Sequence, residues 1–301
     1  MSNTLTTVLV ASLHLDHLAA ECLARVSGRT PSVSVRSDLT ATKLPSYTRT
    51  PMRERRRAGA SVIPRTSPPA DRAILQPQFT RPSDHQYDSW RVLRFVSEFV
   101  EGFDVLAEIG PAVTCFGSAR IGPSDPLYRQ AVAVGAALAR RGVAVITGGG
   151  PGVMEAINRG CVEAGGLSVG CNIELPDEQA LNDYVQVGIE FRHFFVRKMM
   201  FVRYASGFVI FPGGFGTLDE LFEAVTLAQT GKIEHFPIVL FGHSYWRGLL
   251  DWLRDNGLAS AMLSVEDLDL VEVTDDPEEA AEIATSAGAT APPTLYAADA
   301  K

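Results

Sequence analysis

From residue 112 to residue 285 the chain repeats one pattern. A short apolar run is followed by a turn, then by a stretch whose apolar residues recur every three to four positions. The apolar runs fall at 112–116, 143–147, 167–173, 208–211, 237–241 and 268–273. Runs this short and this apolar suit strands buried on both faces. The helical spacing falls at 87–106, 126–141, 153–164, 190–204, from 217 onward, at 245–255 and at 277–285, with a further short strand at 184–187. Strands alternating with helices predict an α/β fold, a doubly wound parallel sheet of Rossmann-like form with helices on both faces.

In such sheets ligands bind at the carboxyl ends of the strands, near the point where strand order reverses. Three loops at strand ends carry glycine: Gly117-Ser118-Ala119-Arg120, Gly148-Gly149-Gly150-Pro151-Gly152 and Pro212-Gly213-Gly214-Phe215-Gly216. They should converge on one crevice, which makes Ser118 and Gly149 candidates for substrate contact. The third loop is the most informative. An apolar run breaks at Pro212, and from Thr217 the spacing turns helical through Leu218, Leu221, Phe222 and Val225. A strand, a glycine turn and a helix start aim free backbone N–H groups and the positive helix end at one point, which suits a phosphate. Gly213, Gly214, Gly216 and Thr217 would form that cradle. Glu220 follows one turn later, and a carboxylate would repel a bound phosphate, so its presence points to chemistry. Glycines that merely permit close packing would not explain the acid.

Several classes of function are excluded. The 148–152 loop lacks the G-x-G-x-x-G spacing, and no acidic residue ends the next strand, so an NAD site is not supported. There is no G-x-x-x-x-G-K-[ST]. Of the four lysines, only Lys198 and Lys232 are realistic Schiff-base candidates, and neither sits in a supporting motif. The four cysteines and six histidines show no paired metal-ligand spacing, so neither metal nor cofactor is expected. No apolar run approaches the roughly 18 residues that span a bilayer, and a cytoplasmic protein is expected.

The net charge of −8 hides an asymmetry: residues 29–81 hold eleven Lys/Arg against three Asp/Glu, a local +8, while residues 82–301 carry −15. An acidic body argues against nucleic acid as a partner of the folded domain. Residues 1–85 read as a disordered, basic, Pro/Ser/Arg-rich extension, with a short amphipathic helix within 1–28. Residues 86–285 read as the folded domain and 286–301 as a disordered tail.

Before the third loop stands Phe191-Arg192-His193-Phe194-Phe195-Val196-Arg197-Lys198. Adjacent on a helix, Arg197 and Lys198 point to different faces. Their apolar surroundings demand an anion, either Glu220 or a substrate phosphate. Arg197-Lys198 followed by Pro212-Gly213-Gly214-Phe215-Gly216-Thr217-Leu218-Asp219-Glu220 resembles the paired signature of the LOG family of nucleoside 5′-monophosphate phosphoribohydrolases, many once labelled lysine decarboxylases. The resemblance covers about residues 88–257, and Thr226 and Gln229-Thr230-Gly231 also fit it. Gly150 to Ala156 resembles a mostly bacterial branch. Phe195 and Leu227 stand where the plant cytokinin-activating enzymes carry His and Trp.

The resemblance implies hydrolysis of the N-glycosidic bond of a nucleoside 5′-monophosphate to free base and ribose 5-phosphate, with cytokinin riboside monophosphates among the candidate substrates. On this reading Glu220 stabilises the ribosyl cation or activates water. Arg197 orients Glu220, or contacts the phosphate or the leaving base. Lys198 and Thr226 contact substrate, and Glu155 holds ribose hydroxyls. A homodimer or higher homo-oligomer is expected. The alternatives are a nucleotide-binding module without turnover and a carrier like the related molybdenum-cofactor-binding proteins.

Overall fold

A computed structural model describes residue 71 and residues 85–174, 180–233 and 236–286. The readings placed on the rest of the extension, and on the tail from 287, lie outside the described residues. The described part opens with helix α1 (His85–Leu106). There follow β1 (Ala112–Phe116), α2 (Pro126–Arg140), β2 (Ala144–Thr147), α3 (Val153–Glu163), β3 (Ser168–Ile173), β4 (Val187–Phe191), α4 (Phe194–Arg203), β5 (Ala205–Ile210), α5 (Phe215–Gln229), β6 (Ile238–Phe241) and α6 (His243–Trp252). A π-helical turn at Leu253–Leu258, a short α7 (Val265–Leu268), β7 (Val271–Thr274) and α8 (Pro277–Ala284) complete it.

All seven strands lie in one sheet in the order β4-β3-β2-β1-β5-β6-β7, and every pairing is parallel. The chain winds outward from β1 to β4, then returns to lay β5 beside β1 and winds out the other way. The strand order therefore reverses between β1 and β5. Side chains alternate across the pleat, and this sorts the helices into two layers. Phe116, Phe208 and Ile210 face a layer holding Leu106 of α1, Met200 and Phe201 of α4, Leu221 of α5 and Trp246 of α6. Val113, Cys115 and Val209 face α2, α3 and α8 through Leu138, Ile157 and Ala281. Every residue of β1, β2, β3 and β6 is buried, as expected of strands covered on both sides.

The α2–α3 contact is close enough to require glycine. A Cβ on Gly160 would sit 1.9 Å from the Val132 carbonyl oxygen, and one on Gly135 would sit 2.2 Å from that of Ile157.

Several boundaries differ from the sequence reading. The strand expected at 184–187 runs instead over Val187–Phe191, and the helix expected from 190 starts at Phe194. Val187, Ile189 and Phe191 are buried while Gly188 and Glu190 are exposed, a period of two that β3 pins residue by residue. At the last strand, residues 265–268 form α7 under a capping box from Ser264 and Asp267, so β7 begins only at Val271. The helix expected over 245–255 starts at His243 and passes into the π-helical turn after Trp252.

Candidate active site

The three glycine loops meet at the point where the strand order reverses, and backbone hydrogen bonds stitch them together. Ser118 N–H donates to the Pro212 carbonyl at 3.0 Å, and Val153 N–H donates to the Ser118 carbonyl at 2.9 Å. Phe211 N–H donates to the Phe116 carbonyl at 2.8 Å, which carries the β1–β5 pairing into the third loop. Gly213 has no room for a side chain: its Cβ would stand 2.1 Å from the Thr217 hydroxyl oxygen and 3.1 Å from the Ser118 nitrogen. Gly214 and Gly216 differ, since a Cβ on either would meet nothing within 4 Å. They border open space.

Gly214 is the N-cap of α5, and no side chain caps this helix. The first N–H groups of a helix have no intrahelical acceptor. Those of Phe215 and Gly216 are therefore presented, with the positive end of the helix, to the open side of the loop. Thr217 is buried behind them.

Glu220 lies one turn along α5, with only 9% of its surface exposed. Lys198 on α4 reaches across to three carboxylates: Asp219 Oδ2 at 3.0 Å, Glu220 Oε2 at 3.5 Å and Glu223 Oε2 at 2.5 Å. Burial pushes the Glu220 carboxyl up to about 7; Lys198 and Arg197 pull it down, while Glu223 and Asp219 raise it further. Burial also opposes the charge on Lys198, yet its three acidic neighbours together hold its pKa above the ordinary lysine value.

Arg197 takes the other direction from the same helix. Its Nε donates to the Cys171 carbonyl at 2.8 Å, and its guanidinium carbon lies 4.8 Å from the Phe201 ring centre. One terminal nitrogen lies under the second loop, where a Cβ on Gly148 would come within 2.4 Å of it. Burial lowers its pKa, and the nearby Glu220 charge offsets part of that. Among the described residues no carboxylate lies within salt-bridge distance of Arg197. The contact with Glu220 belongs to Lys198, so the structure divides the work of the two cations.

The other expected contacts are distributed as follows. Glu155 accepts a hydrogen bond from the Tyr128 hydroxyl at 2.8 Å. Gly149 has a positive φ of 69°; its N–H donates to Thr147 Oγ1 at 2.9 Å, and its carbonyl accepts from Asn182 N–H at 2.8 Å. The Ser118 hydroxyl oxygen accepts from Arg120 N–H at 3.1 Å. Thr226 is exposed and its hydroxyl donates to the Phe222 carbonyl at 2.6 Å. Six residues beyond Glu220, it stands about 9 Å further along the helix axis.

Sequence reasoning passed over Asp219 and Glu223, although their i, i+4 spacing on one helix face was visible. It also passed over Glu98. This carboxylate on α1 accepts from Arg192 N–H and His193 N–H and pairs with His193 Nδ1 at 2.9 Å, which fixes the turn that starts α4. Asp71 adds a bond from Phe194 N–H at 3.1 Å. Among the described residues there is no cluster of three metal-ligating side chains, and no helix is long and apolar enough to cross a membrane.

A family model described as "Possible lysine decarboxylase" matches residues 154–284, which takes in Arg197, Lys198, the third loop and Glu220. A cytokinin riboside 5′-monophosphate phosphoribohydrolase of Mycobacterium marinum is 32% identical over 160 residues, covering 51% of this chain and 85% of that protein. One of the same name from Mycobacterium tuberculosis is 36% identical over 137 residues, covering 44% of this chain and 71% of that protein. Among solved structures, a molybdenum cofactor carrier protein of Chlamydomonas is similar at a TM-score of 0.43 and 23% identity, over 59% of this chain and 97% of the other. With the signature loop at the sheet's switch point and relatives of this similarity over most of their own length, the chain belongs to the LOG family.

Proposed function

We propose that this site hydrolyses the N-glycosidic bond of nucleoside 5′-monophosphates, releasing the free base and ribose 5-phosphate. The observation that carries the proposal is a carboxyl, only 9% exposed, one turn behind an uncapped helix start. The 5′-phosphate would lie on the loop from Gly213 to Thr217, held by the N–H groups of Phe215 and Gly216. The ribose would then extend toward Glu220. As the C1′–N bond breaks, its electron pair leaves with the base and positive charge builds on the ribose ring. Water adds to C1′ and gives one proton to the carboxylate, and that proton passes on to the departing base, which leaves the carboxylate ionised again. A carboxylate at this point stabilises the cation or activates the water, and a pKa near 7 suits proton transfer at neutral pH.

Lys198 keeps three acids together and leaves Glu220 the most buried of them. Arg197 is a half-buried guanidinium with no carboxylate partner among the described residues, so it is available to the phosphate or the leaving base. Ser118 and Gly149 on the first two loops and Glu155 at the start of α3 would contact the sugar, and Thr226, further along α5, would reach substrate from a second subunit. A second copy would also cover the exposed Phe194, Phe195 and Met199 on α4 and Val92, Val96 and Val100 on the adjoining α1.

The test is a panel of nucleoside 5′-monophosphates, cytokinin riboside monophosphates included, assayed for free base beside the matching nucleosides. Monophosphates should be cleaved and nucleosides should not, because the cradle binds only when a phosphate is present. Equal rates on AMP and adenosine would remove the role given to the loop, and no base from any monophosphate would remove the proposal.

A further inference from the structure

Outside the residues assigned so far, one side chain touches the phosphate loop from another element. Tyr245, in the first turn of α6, donates its hydroxyl to the Gly213 carbonyl at 2.5 Å. Its ring is fixed edge-to-face on the buried Trp246, with centroids 4.9 Å apart at 86°. The N-cap of this helix is Gly242. That residue has a φ of 104°, and a Cβ there would lie 3.5 Å from Pro212 Cγ.

The carbonyls of three successive loop residues are thereby engaged. Pro212 accepts from Ser118 N–H, Gly214 accepts from Thr217 and Leu218 N–H, and Gly213 accepts from Tyr245. The Pro212 bond joins two loops at neighbouring strand ends and the Gly214 bonds belong to the start of α5, whereas the Gly213 bond rests on a single side chain. In a trans peptide the carbonyl of one residue and the N–H of the next point in opposite directions. Holding the Gly213 oxygen toward Tyr245 therefore aims the Gly214 N–H away from it. This peptide lies between two glycines, whose backbones rotate at low cost, and a Cβ on Gly214 would meet nothing within 4 Å. Turned over, it would withdraw a donor from a bound anion and present a carbonyl oxygen instead.

The geometry points to Tyr245 as a positioning residue for the anion cradle, one that holds the Gly213–Gly214 peptide with its N–H toward a bound 5′-phosphate. This deepens the proposed function and rests on it for the identity of the ligand. Tyr245 touches neither the sugar nor Glu220 on this reading, so it governs affinity for the phosphate and not the bond-breaking step.

The experiment is Tyr245→Phe, which keeps the ring on Trp246 and removes only the hydroxyl. Calorimetric titration with ribose 5-phosphate should show binding weakened at least threefold and roughly tenfold, the loss of one hydrogen bond together with the misoriented donor. The KM for a nucleoside 5′-monophosphate should rise in parallel, with kcat within twofold of wild type and the melting temperature unchanged. A change in ribose 5-phosphate affinity below threefold overturns the inference. So does a fall in kcat at constant affinity, or a parallel fall in both with a lowered melting temperature. Wild-type protein that binds ribose 5-phosphate in a Tyr245-dependent way but releases no base would remove the hydrolase reading and leave the role of Tyr245 standing.

Discussion

Replacing Glu220 by Gln separates what this side chain does for chemistry from what it costs the fold. The folded chain holds the Glu220 carboxyl at about 7, against an ordinary 4.5. The folded state thus binds a proton more tightly than the unfolded one. Its stability falls as pH rises from about 4.5 to about 7, and above that the full cost of the buried charge is present. From pH 5 to pH 8 that cost grows by about 2–3 kcal/mol, at 1.36 kcal/mol for each pH step of one. Glutamine keeps the shape and carries no charge at either pH, and Lys198 keeps Asp219 and Glu223 as partners. The variant should melt close to wild type at pH 5 and roughly 4–12 °C above it at pH 8, for a domain of this size. The assay is a thermal melt of both proteins at the two pH values. A melting difference independent of pH, or a variant less stable at pH 8, would refute the reasoning. In base release the same variant should lose at least about 100-fold while its affinity for ribose 5-phosphate holds or improves, since a ground-state repulsion goes with the charge. Wild-type kcat/KM should rise with pH through about 7, because either role of Glu220 needs the ionised form. A profile that falls there would assign it as an acid.

Arg197→Ala should cost about 2–4 kcal/mol of transition-state stabilisation, roughly 30- to 1000-fold in rate, without dispersing the assembly. Light scattering on both proteins should report at least a dimer, and a fully active wild-type monomer would contradict the second copy proposed for α1 and α4. Gly160→Ala should destabilise the fold by about 3 kcal/mol, since its Cβ would meet the Val132 carbonyl at 1.9 Å. Gly122→Ala, with nothing within 4 Å, should be neutral in the same denaturant titration. Removing residues 1–84 should leave a cooperative melt, lowered by about 1 kcal/mol for the Asp71 bond to Phe194 N–H at the start of α4. A chain that no longer melts cooperatively would move the domain boundary.

Much of this protein is written in short-range pattern. Apolar runs of strand length, apolar residues at helical spacing and glycines between them are local properties. The parallel sheet, the two helix layers and the glycine loops at strand ends could therefore be read directly. The place of Glu220 was legible for the same reason, as an acid one turn into the helix that follows a glycine turn in the same unbroken stretch. Local pattern failed first at β4. The apolar content of 187–196 suits a strand or a helix, and only pairing with β3 decides that the strand runs to Phe191 and α4 begins at Phe194.

The rest was decided by tertiary packing. Neighbouring positions 197 and 198 announce that the two cations diverge. They do not announce that Lys198 meets the acids of α5 while Arg197 turns toward Cys171 and the second loop, which depends on how α4 lies against α5 and the sheet. The position of Glu220 was legible, but its pKa was not, because burial and four surrounding charges set that value and they come from two helices. Tyr245 stands thirty-two residues from Gly213 along the chain, and no periodicity links them. They meet because β5 and β6 are neighbours in the sheet, which brings the start of α6 against the loop that starts α5.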